Sequence, residues 1–312
     1  MKPVKKPALW LILIAFAATY IIWGTTYIAI LVGIETLPPF LMAAIRFLIA
    51  GVVMLAVAAI RGENLFVRGV VKNMILGIVI LTGGQGLLAW AELYIPSGYA
   101  AILVSTLPLW YVLLDRKNWS SYFKNKLILT GLILGFVGIL LLFEKYLRAS
   151  STGSGVLQVL GLLAVLGACI CWASGTLYYK NQANQGSMFI NLGWQLMGGF
   201  LSSMLIVFFT GEFSAFSFDS VSTASWLATV YLAVAGSLVA FIAFTWLMTV
   251  KPPAVVGTYA YVNPVIAVLL GWLLANENIT AIQIAGMFII LFSAFLVNSP
   301  KYIAAGKQPA LE

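Results

Sequence analysis

The sequence predicts an all-α integral membrane protein with ten transmembrane helices, arranged as two inverted five-helix repeats. Of its 312 residues, 62% are hydrophobic and 8% are charged, whereas soluble globular proteins are about 25% charged. The mean hydropathy is +1.04. The apolar residues fall in ten continuous runs, each close to the roughly 20 residues that a helix needs to cross a bilayer. Continuous rather than alternating runs exclude a transmembrane β-barrel.

Short polar segments separate the ten runs and leave no room for a soluble domain. The predicted spans are residues 8–31, 39–60, 73–94, 97–114, 127–143, 156–179, 188–210, 225–248, 253–275 and 279–298. Three lysines precede the first run, as in a secretory signal peptide. That run continues through Trp23 to Val32. It is longer than the apolar region of a signal peptide and therefore predicts a retained first span.

The positive charges predict the orientation, because lysine and arginine concentrate in cytoplasmic loops. With the N-terminus inside, 14 of the 17 positive residues lie on the cytoplasmic side, and only Lys145 and Arg148 lie outside. The remaining one, Arg46, lies within a span. Both termini are therefore predicted in the cytoplasm. The net charge of +8 then reflects topology, and no nucleic-acid partner is needed to explain it.

The two halves of the chain resemble each other weakly at a constant spacing. Trp23 in span 1 matches Trp172 in span 6, and Arg46 in span 2 matches Gln195 in span 7, both at an offset of 149. Pro96 just before span 4 lies twelve residues before Pro108, and Pro252 just before span 9 lies twelve residues before Pro264. We predict a first five-helix repeat at residues 1–149, a second at 150–300 and a cytoplasmic tail at 301–312.

Five spans per repeat make the second repeat enter the membrane from the opposite side. The repeats are therefore inverted about an axis in the membrane plane. Secondary transporters built in this way hold their substrate near the midplane, between the repeats. The expected partners are a small-molecule substrate and the lipid bilayer.

Spans 4 and 9 combine a mid-span proline with polar neighbours. Pro108 follows Thr106 closely, and Pro264 follows Asn263. A mid-helix proline bends the helix and frees a backbone carbonyl. Such carbonyls would suit a polar substrate group, so we predict substrate contacts at these four residues. The alternative is structural: the prolines kink the helices, and the polar side chains cap the freed carbonyls.

Arg46 and Glu92 are the charged residues that lie well inside predicted spans. A charged side chain in a membrane is costly and usually faces the bundle interior with a partner. Both lie in the outer half of their spans, so we predict that they face the same polar interior and can pair. Arg46 is then a substrate-binding candidate and Glu92 a candidate for proton coupling. The alternative is that Arg46 is a structural anchor and Glu92 reaches the outer headgroups.

Span 3 contains the run Gly83-Gly84-Gln85-Gly86. It has no lysine and follows no strand, so it does not predict a phosphate-binding loop. It indicates close helix packing or flexibility, with Gln85 facing the interior. Trp23, Trp172 and Tyr259 lie deep in their spans beside small residues, where they either line a cavity or pack between helices.

The sequence argues against an enzyme. It has no histidine, so the commonest general base and zinc ligand is missing. Asp115 and Asp219 lie outside spans or at their ends, away from where an intramembrane protease needs aspartates. Cys169 and Cys171 point away from each other on a helix and are predicted to be free thiols. We predict no catalytic residue, no metal site and no cofactor.

Together these features resemble the EamA-type permeases of the drug/metabolite transporter (DMT) superfamily, in particular the YedA-like branch. The resemblance rests on the two-repeat pattern, on the Trp23-Gly24-Thr25 run, and on the prolines of spans 4 and 9. It also rests on Tyr259-Ala260-Tyr261-Val262-Asn263-Pro264-Val265, followed by Gly271 and Glu277. The family's Gly-Glu pair after span 9 is matched only at Glu277, because Asn276 replaces the glycine.

The resemblance implies a multi-pass inner-membrane permease that exports small metabolites, such as amino acids, related compounds or toxic analogues. It also implies a central cavity lined by spans 1, 3, 4, 6, 8 and 9. Carried onto this chain, it points to Trp23, Trp90, Thr106, Trp172, Tyr259 and Asn263 as cavity residues. A channel-like or lipid-moving protein is the alternative function. The sequence leaves open both the substrate and the choice between monomer and homodimer.

Overall fold

The computed structural model describes residues 8–149, 154–180, 186–214, 216–251, 256, 259–278 and 280–306. These residues form helices and contain no strand. The long helices are α1 (Leu9–Ile34), α2 (Pro39–Ile60), α3 (Val70–Ala91), α4 (Ser97–Leu114), α5 (Lys126–Ala149), α6 (Ser154–Lys180), α7 (Met188–Thr210), α8 (Thr223–Leu247), α9 (Tyr259–Leu274) and α10 (Ala281–Gly306). Each predicted span coincides with one of them. Helix α10 continues past the predicted boundary at residue 300, and residues 307–312 of the predicted tail lie outside the described residues.

Length and apolar composition qualify eight of the described helices as membrane spans. Helix α5 passes only as far as Leu142 and only together with the short helices at 116–122, from which it is bent by 110°. Helix α9 is apolar but has 16 residues, fewer than the roughly 20 of an ordinary span. The all-helical fold of the prediction is confirmed, and the number of ten spans stays a prediction.

Helices α2 and α7, which occupy the same place in the two repeats, pack against each other in antiparallel fashion. A Cβ atom on Gly51 would lie 3.1 Å from Leu196, and one on Gly193 would lie 2.7 Å from Leu55. Residue numbers therefore rise along one helix as they fall along the other. Equivalent helices that run in opposite directions are what an inverted repeat requires.

Helices α5 and α10 form the second antiparallel pair of equivalent helices. A Cβ atom on Gly131 would lie 2.8 Å from Val297, and one on Gly138 would lie 2.6 Å from Ile290. Gly135 lies on the same face, and its Cβ would overlap Leu109 of α4 and Ser293. The small-residue face of α5 therefore serves a contact within the chain.

The ends of α2 and α7 are built alike, with Gly62 and Gly211 in the left-handed conformation at φ +73° and +72°. Glycine adopts this conformation without a steric penalty, which is why it commonly ends helices. The next residues are both glutamates. Glu212 accepts hydrogen bonds from the backbone nitrogens of Phe40 and Leu41 at 3.4 and 2.9 Å, at the start of α2.

Glu63 makes the corresponding contact at the start of α7. Its carboxylate accepts a hydrogen bond from the hydroxyl of Ser187, and that hydroxyl accepts one from the backbone nitrogen of Ile190 at 3.4 Å. Each helix of the pair thus ends in a glutamate that binds the N-terminus of the other. Gly62-Glu63 and Gly211-Glu212 are 149 residues apart, the same offset as the tryptophan match, and the sequence analysis missed them.

Candidate functional site

A cavity of about 90 Å³ lies between the two repeats. Helices α1 to α4 line it from the first repeat, and α6 and α9 line it from the second. Its lining residues are Trp23, Thr26, Tyr27, Ile30, Arg46, Gly84, Gln85, Leu88, Val104, Leu107, Ala168, Cys169, Trp172, Tyr259 and Asn263. Helix α2 takes the place that the family resemblance gave to span 8.

Six of the ten predicted substrate-binding residues line this cavity. They are Trp23, Arg46, Gln85, Trp172, Tyr259 and Asn263. The other four, Trp90, Thr106, Pro108 and Pro264, are not among its lining residues. A substrate role for any of the ten stays a prediction.

Arg46 enters the cavity from α2 and is only 4% exposed. Its Nε donates a hydrogen bond to Ser237 Oγ of α8 at 2.7 Å. The predicted pairing with Glu92 is wrong: among the described residues, the one ion pair joins Arg61 to Glu63. A neutral hydroxyl therefore holds the guanidinium, and its positive charge faces the cavity without a bound carboxylate.

Glu92 directly follows α3 and is 3% exposed. Its backbone nitrogen continues the helical pattern by bonding to the carbonyl of Leu88 at 3.1 Å, and Leu88 lines the cavity. Neither carboxylate oxygen has a hydrogen-bond partner in the described part of the chain. The side chain is therefore buried inside the protein and is not among the cavity-lining residues. Tyr27 and Glu277 lie near enough to interact with it electrostatically.

Aromatic rings form one wall of the cavity. The ring of Trp23 lies 5.0 Å from those of Tyr259 and Phe244 and 6.3 Å from that of Trp172, centroid to centroid. Its indole nitrogen donates to the carbonyl of Gly236 at 3.2 Å. Edge and tilted contacts of this kind stabilise an aromatic cluster and leave the neighbouring cavity wall apolar.

The polar residues beside the mid-span prolines cap backbone groups. The hydroxyl of Thr106 donates to the carbonyl of Leu103 at 2.6 Å and accepts from the indole nitrogen of Trp110 at 3.1 Å. It sits where α4 is interrupted between Val104 and Leu107. The structural alternative therefore describes Thr106, and the break explains why Pro108 can follow it.

Asn263 binds backbone carbonyls and also lies on the cavity wall. Oriented with its nitrogen toward them, its amide donates to the carbonyls of Tyr20 and Tyr259, both at 3.1 Å. The bond to Tyr20 ties α9, with its internal Pro264, to α1, and the bond to Tyr259 lies within α9. The same side chain also lines the cavity.

Trp90 faces away from the cavity. It packs beside the cluster of Phe40, Leu41 and Val207, and its ring lies 5.0 Å from that of Tyr94. Gln85 and Leu88 of the same helix do line the cavity, so Trp90 lies on a different face of α3 from these two.

Two π-helical segments flank the site, at Ile78–Gly86 in α3 and Leu232–Val239 in α8. These helices are equivalent in the two repeats. Gln85 lies in the first segment, and Ser237, the partner of Arg46, lies in the second. Such segments are rare and often occur at functional sites, and the sequence analysis did not predict them.

Several cavity residues were missed, among them Tyr27 and Cys169. Tyr27 lies four residues after Trp23, and Cys169 lies three before Trp172. Helical spacing from each predicted tryptophan was the available signal. Cys169 and Cys171 are free thiols, as predicted.

The halves of the chain that meet at this cavity both match one family. Residues 8–144 and residues 159–299 each match the EamA-like transporter family. The chain belongs to the EamA-like transporter family. The resemblance inferred from the sequence is confirmed, and the function at family level is membrane transport.

Named EamA-type relatives cover most of the chain. The "Uncharacterized inner membrane transporter YedA" of Escherichia coli (strain K12) is 34% identical over 94% of this chain and 92% of its own. "Uncharacterized transporter YoaV" of Bacillus subtilis (strain 168) is 24% identical over 91% of this chain and 96% of its own. "Protein PecM" of Dickeya dadantii (strain 3937) is 27% identical over 88% of each chain. The YedA-like branch is supported, and the chain is a multi-pass protein of the inner membrane.

A solved structure titled "Crystal structure of protein" has the same fold. It aligns with a TM-score of 0.60 at 21% identity and covers 92% of this chain and 97% of its own. This likeness confirms the fold of the EamA-like chain over nearly its whole length.

Proposed function

We propose that this protein is a secondary transporter that exports small organic metabolites, such as amino acids, related compounds or toxic analogues, by alternating access. The observation that carries the proposal is the cavity between the two repeats, with Arg46 on its wall. Secondary transporters of this construction bind substrate between their repeats.

The cavity chemistry suits a small molecule with an acidic group and an apolar body. Arg46 supplies a positive charge held by a neutral hydroxyl, and a guanidinium binds carboxylate or phosphate groups well. Trp23, Trp172 and Tyr259 supply flat apolar surface. A substrate carboxylate could bind the positive charge of Arg46 while an apolar side chain of the same substrate packs against the aromatic rings.

The size of the cavity favours a moving protein over a fixed pore. Its volume of about 90 Å³ is well below the roughly 300–1,000 Å³ of ordinary ligand pockets. A substrate therefore requires helices around the cavity to separate. The π-helical segments of α3 and α8 and the interrupted α4 provide places where these helices can change shape.

We further propose that Glu92 couples transport to protons. Burying a carboxylate charge without a partner is costly, so a carboxyl group in this position can act by taking up and releasing a proton. With no histidine in the chain, a carboxyl group is the natural carrier.

Transport in liposomes tests the proposal. Purified protein is reconstituted, and counterflow of labelled amino acids and small carboxylic acids is measured against external substrate concentration. We expect saturable counterflow for at least one compound, and a fall of roughly ten-fold or more in the Arg46→Gln variant, since hydrogen bonds to a charged group contribute about 1.5–3 kcal/mol.

Arg61→Gln is the matched control, because Arg61 is exposed and pairs with Glu63 at the end of α2. It should transport like the wild type, and Arg46→Lys should recover part of the lost activity. Flux that rises linearly without saturation would support the channel-like alternative. Movement of labelled lipid without counterflow of any solute would support a lipid-moving protein instead.

A further inference from the structure

A second and larger cavity, a groove of about 740 Å³, opens between α3 and α6. It is lined by Val67, Gly69, Val70, Val71, Lys72, Ile75, Leu76, Val79, Ser174, Gly175 and Tyr178. Its walls are mainly aliphatic and carry one cationic side chain. It shares no residue with the central cavity.

The groove begins where the close packing between α3 and α6 ends, since these helices approach each other from Ile80 to Ala91 of α3. A Cβ atom on Gly175 would lie 2.3 Å from Ile80, and one on Gly83 would lie 3.0 Å from the Cys171 sulfur. Side chains fill the space between the helices at that level. Toward the start of α3 and the end of α6 the helices leave a furrow, which contains Ile75 and other aliphatic groups.

Lys72 and Tyr178 stand together in the groove. The Lys72 ammonium lies over the Tyr178 ring, 5.5 Å from its centroid, a cation–π contact that fixes the position of the charge. Val71 and Ile75 nearby are 70% and 55% exposed, as expected for side chains that face lipid. The predicted topology puts this end of α3 at the cytoplasmic surface of the membrane.

We propose that the groove is a binding site for one anionic phospholipid. An acyl chain lies along the aliphatic wall formed by Ile75 and Val79, and the headgroup phosphate lies at the Lys72 ammonium. A long apolar furrow with a single cation at the membrane surface matches this ligand in both shape and charge. Basic pockets between helices on the cytoplasmic side bind acidic headgroups.

Lipid titration of the purified full-length protein in detergent tests the site. The unfolding temperature is measured against added phosphatidylglycerol, phosphatidylcholine or inorganic phosphate, since a ligand of the folded state raises it. We expect phosphatidylglycerol alone to raise it. Lys72→Gln should weaken the apparent affinity for phosphatidylglycerol about five-fold, because one lysine near an anionic lipid contributes about 1 kcal/mol.

Matched variants separate the groove from general surface charge. Lys124→Gln removes an exposed lysine from the α4–α5 connection and should leave the affinity unchanged, while Lys72→Arg should keep it. Ser174→Leu fills the groove without changing charge and should also weaken binding. The proposal is overturned if phosphatidylcholine or inorganic phosphate is as effective as phosphatidylglycerol, or if Lys72→Gln binds phosphatidylglycerol as the wild type does.

Discussion

Glu277 shows how a single side chain links the two repeats. It follows α9, yet its carboxylate accepts hydrogen bonds from the backbone nitrogens of Ser97 and Gly98 at 2.7 and 3.1 Å, and from the Ser97 hydroxyl at 2.7 Å. These groups begin α4, where free N–H groups and the helix dipole favour a negative charge. A Cβ atom on Gly271 would lie 2.5 Å from the same carboxylate, so glycine makes room for it.

We predict that Glu277→Gln lowers the stability of the protein by roughly 1 kcal/mol, the usual effect of losing a helix cap. The amide keeps one acceptor oxygen but loses the charge. The thermal unfolding temperature of the detergent-solubilised variant should fall, whereas that of Glu35→Gln, at an exposed glutamate, should not. Equal unfolding temperatures for Glu277→Gln and the wild type would contradict a capping role.

At Glu92 we predict a change in energy coupling with little change in stability. In Glu92→Gln, accumulation of substrate driven by a pH gradient should be lost, because the amide carries no exchangeable charge. Counterflow, which needs no net proton movement, should persist. The comparison is made in the same liposomes with Glu35→Gln as control. Full gradient-driven accumulation in Glu92→Gln would exclude Glu92 as the proton carrier.

The sequence indicated which polar residues are unusual, such as Arg46, but not which groups they contact. Arg46 stood out from the sequence because a buried arginine is costly and needs a reason. The partner predicted for Arg46 was a carboxylate, whereas its guanidinium binds the hydroxyl of Ser237, 191 positions away. Thr106 was polar and beside a proline, and nothing in its local sequence separated capping from substrate binding.

Helices α3 and α7 pack so closely at Gly77 that a larger residue does not fit there. A Cβ atom on Gly77 would lie 1.8 Å from the backbone oxygen of Gln195, and a backbone atom cannot move aside as a side-chain tip can. Gly77→Ala should therefore push the two helices apart and destabilise the protein by about 1–3 kcal/mol or more.

Gly167→Ala is the control, because its Cβ would meet nothing nearer than Leu87 at 4.0 Å. Alanine also has the higher helix propensity, by about 1 kcal/mol, so this variant should unfold at the wild-type temperature or above it. The thermal unfolding temperature is measured for both variants and for the wild type. A Gly77→Ala variant as stable as Gly167→Ala would show that α3 and α7 do not approach so closely.

Helices could be predicted from the sequence and their internal distortions could not. Each predicted span overlaps one long helix, because the bilayer imposes both length and composition, although α10 continues to Gly306, past the predicted end at residue 298. The π-helical segments at Ile78–Gly86 and Leu232–Val239 differ from α-helix by small changes in backbone hydrogen bonding. The glycines and other small residues in these segments are compatible with close packing and with flexibility, so the sequence alone does not reveal a π-helix.

At the scale of the molecule, the inverted repeat follows from contacts that both halves reproduce. Helix α1 packs against α8 and α9, and α6 packs against α3 and α4. Since α6 is the equivalent of α1, and α3 and α4 are the equivalents of α8 and α9, the two repeats make matching contacts. The sequence indicated this symmetry through Trp23 and Trp172, and the clearer sign was the Gly-Glu pair that ends α2 and α7. In secondary transporters with inverted repeats, one repeat rocks against the other around a substrate site between them.

The orientation of the protein in the membrane determines which side of the bilayer each site faces. In a background without Cys169 and Cys171, single cysteines are introduced as Lys124→Cys and Asp219→Cys, both at exposed positions. The charge asymmetry predicts that a membrane-impermeant maleimide labels Asp219→Cys on intact cells and Lys124→Cys only after permeabilisation. The reverse pattern would invert the topology and put the Lys72 groove in the outer leaflet and Glu92 near the cytoplasm. With the predicted orientation, Glu92 lies at the outer end of α3, which is the side from which the proposed proton uptake would occur.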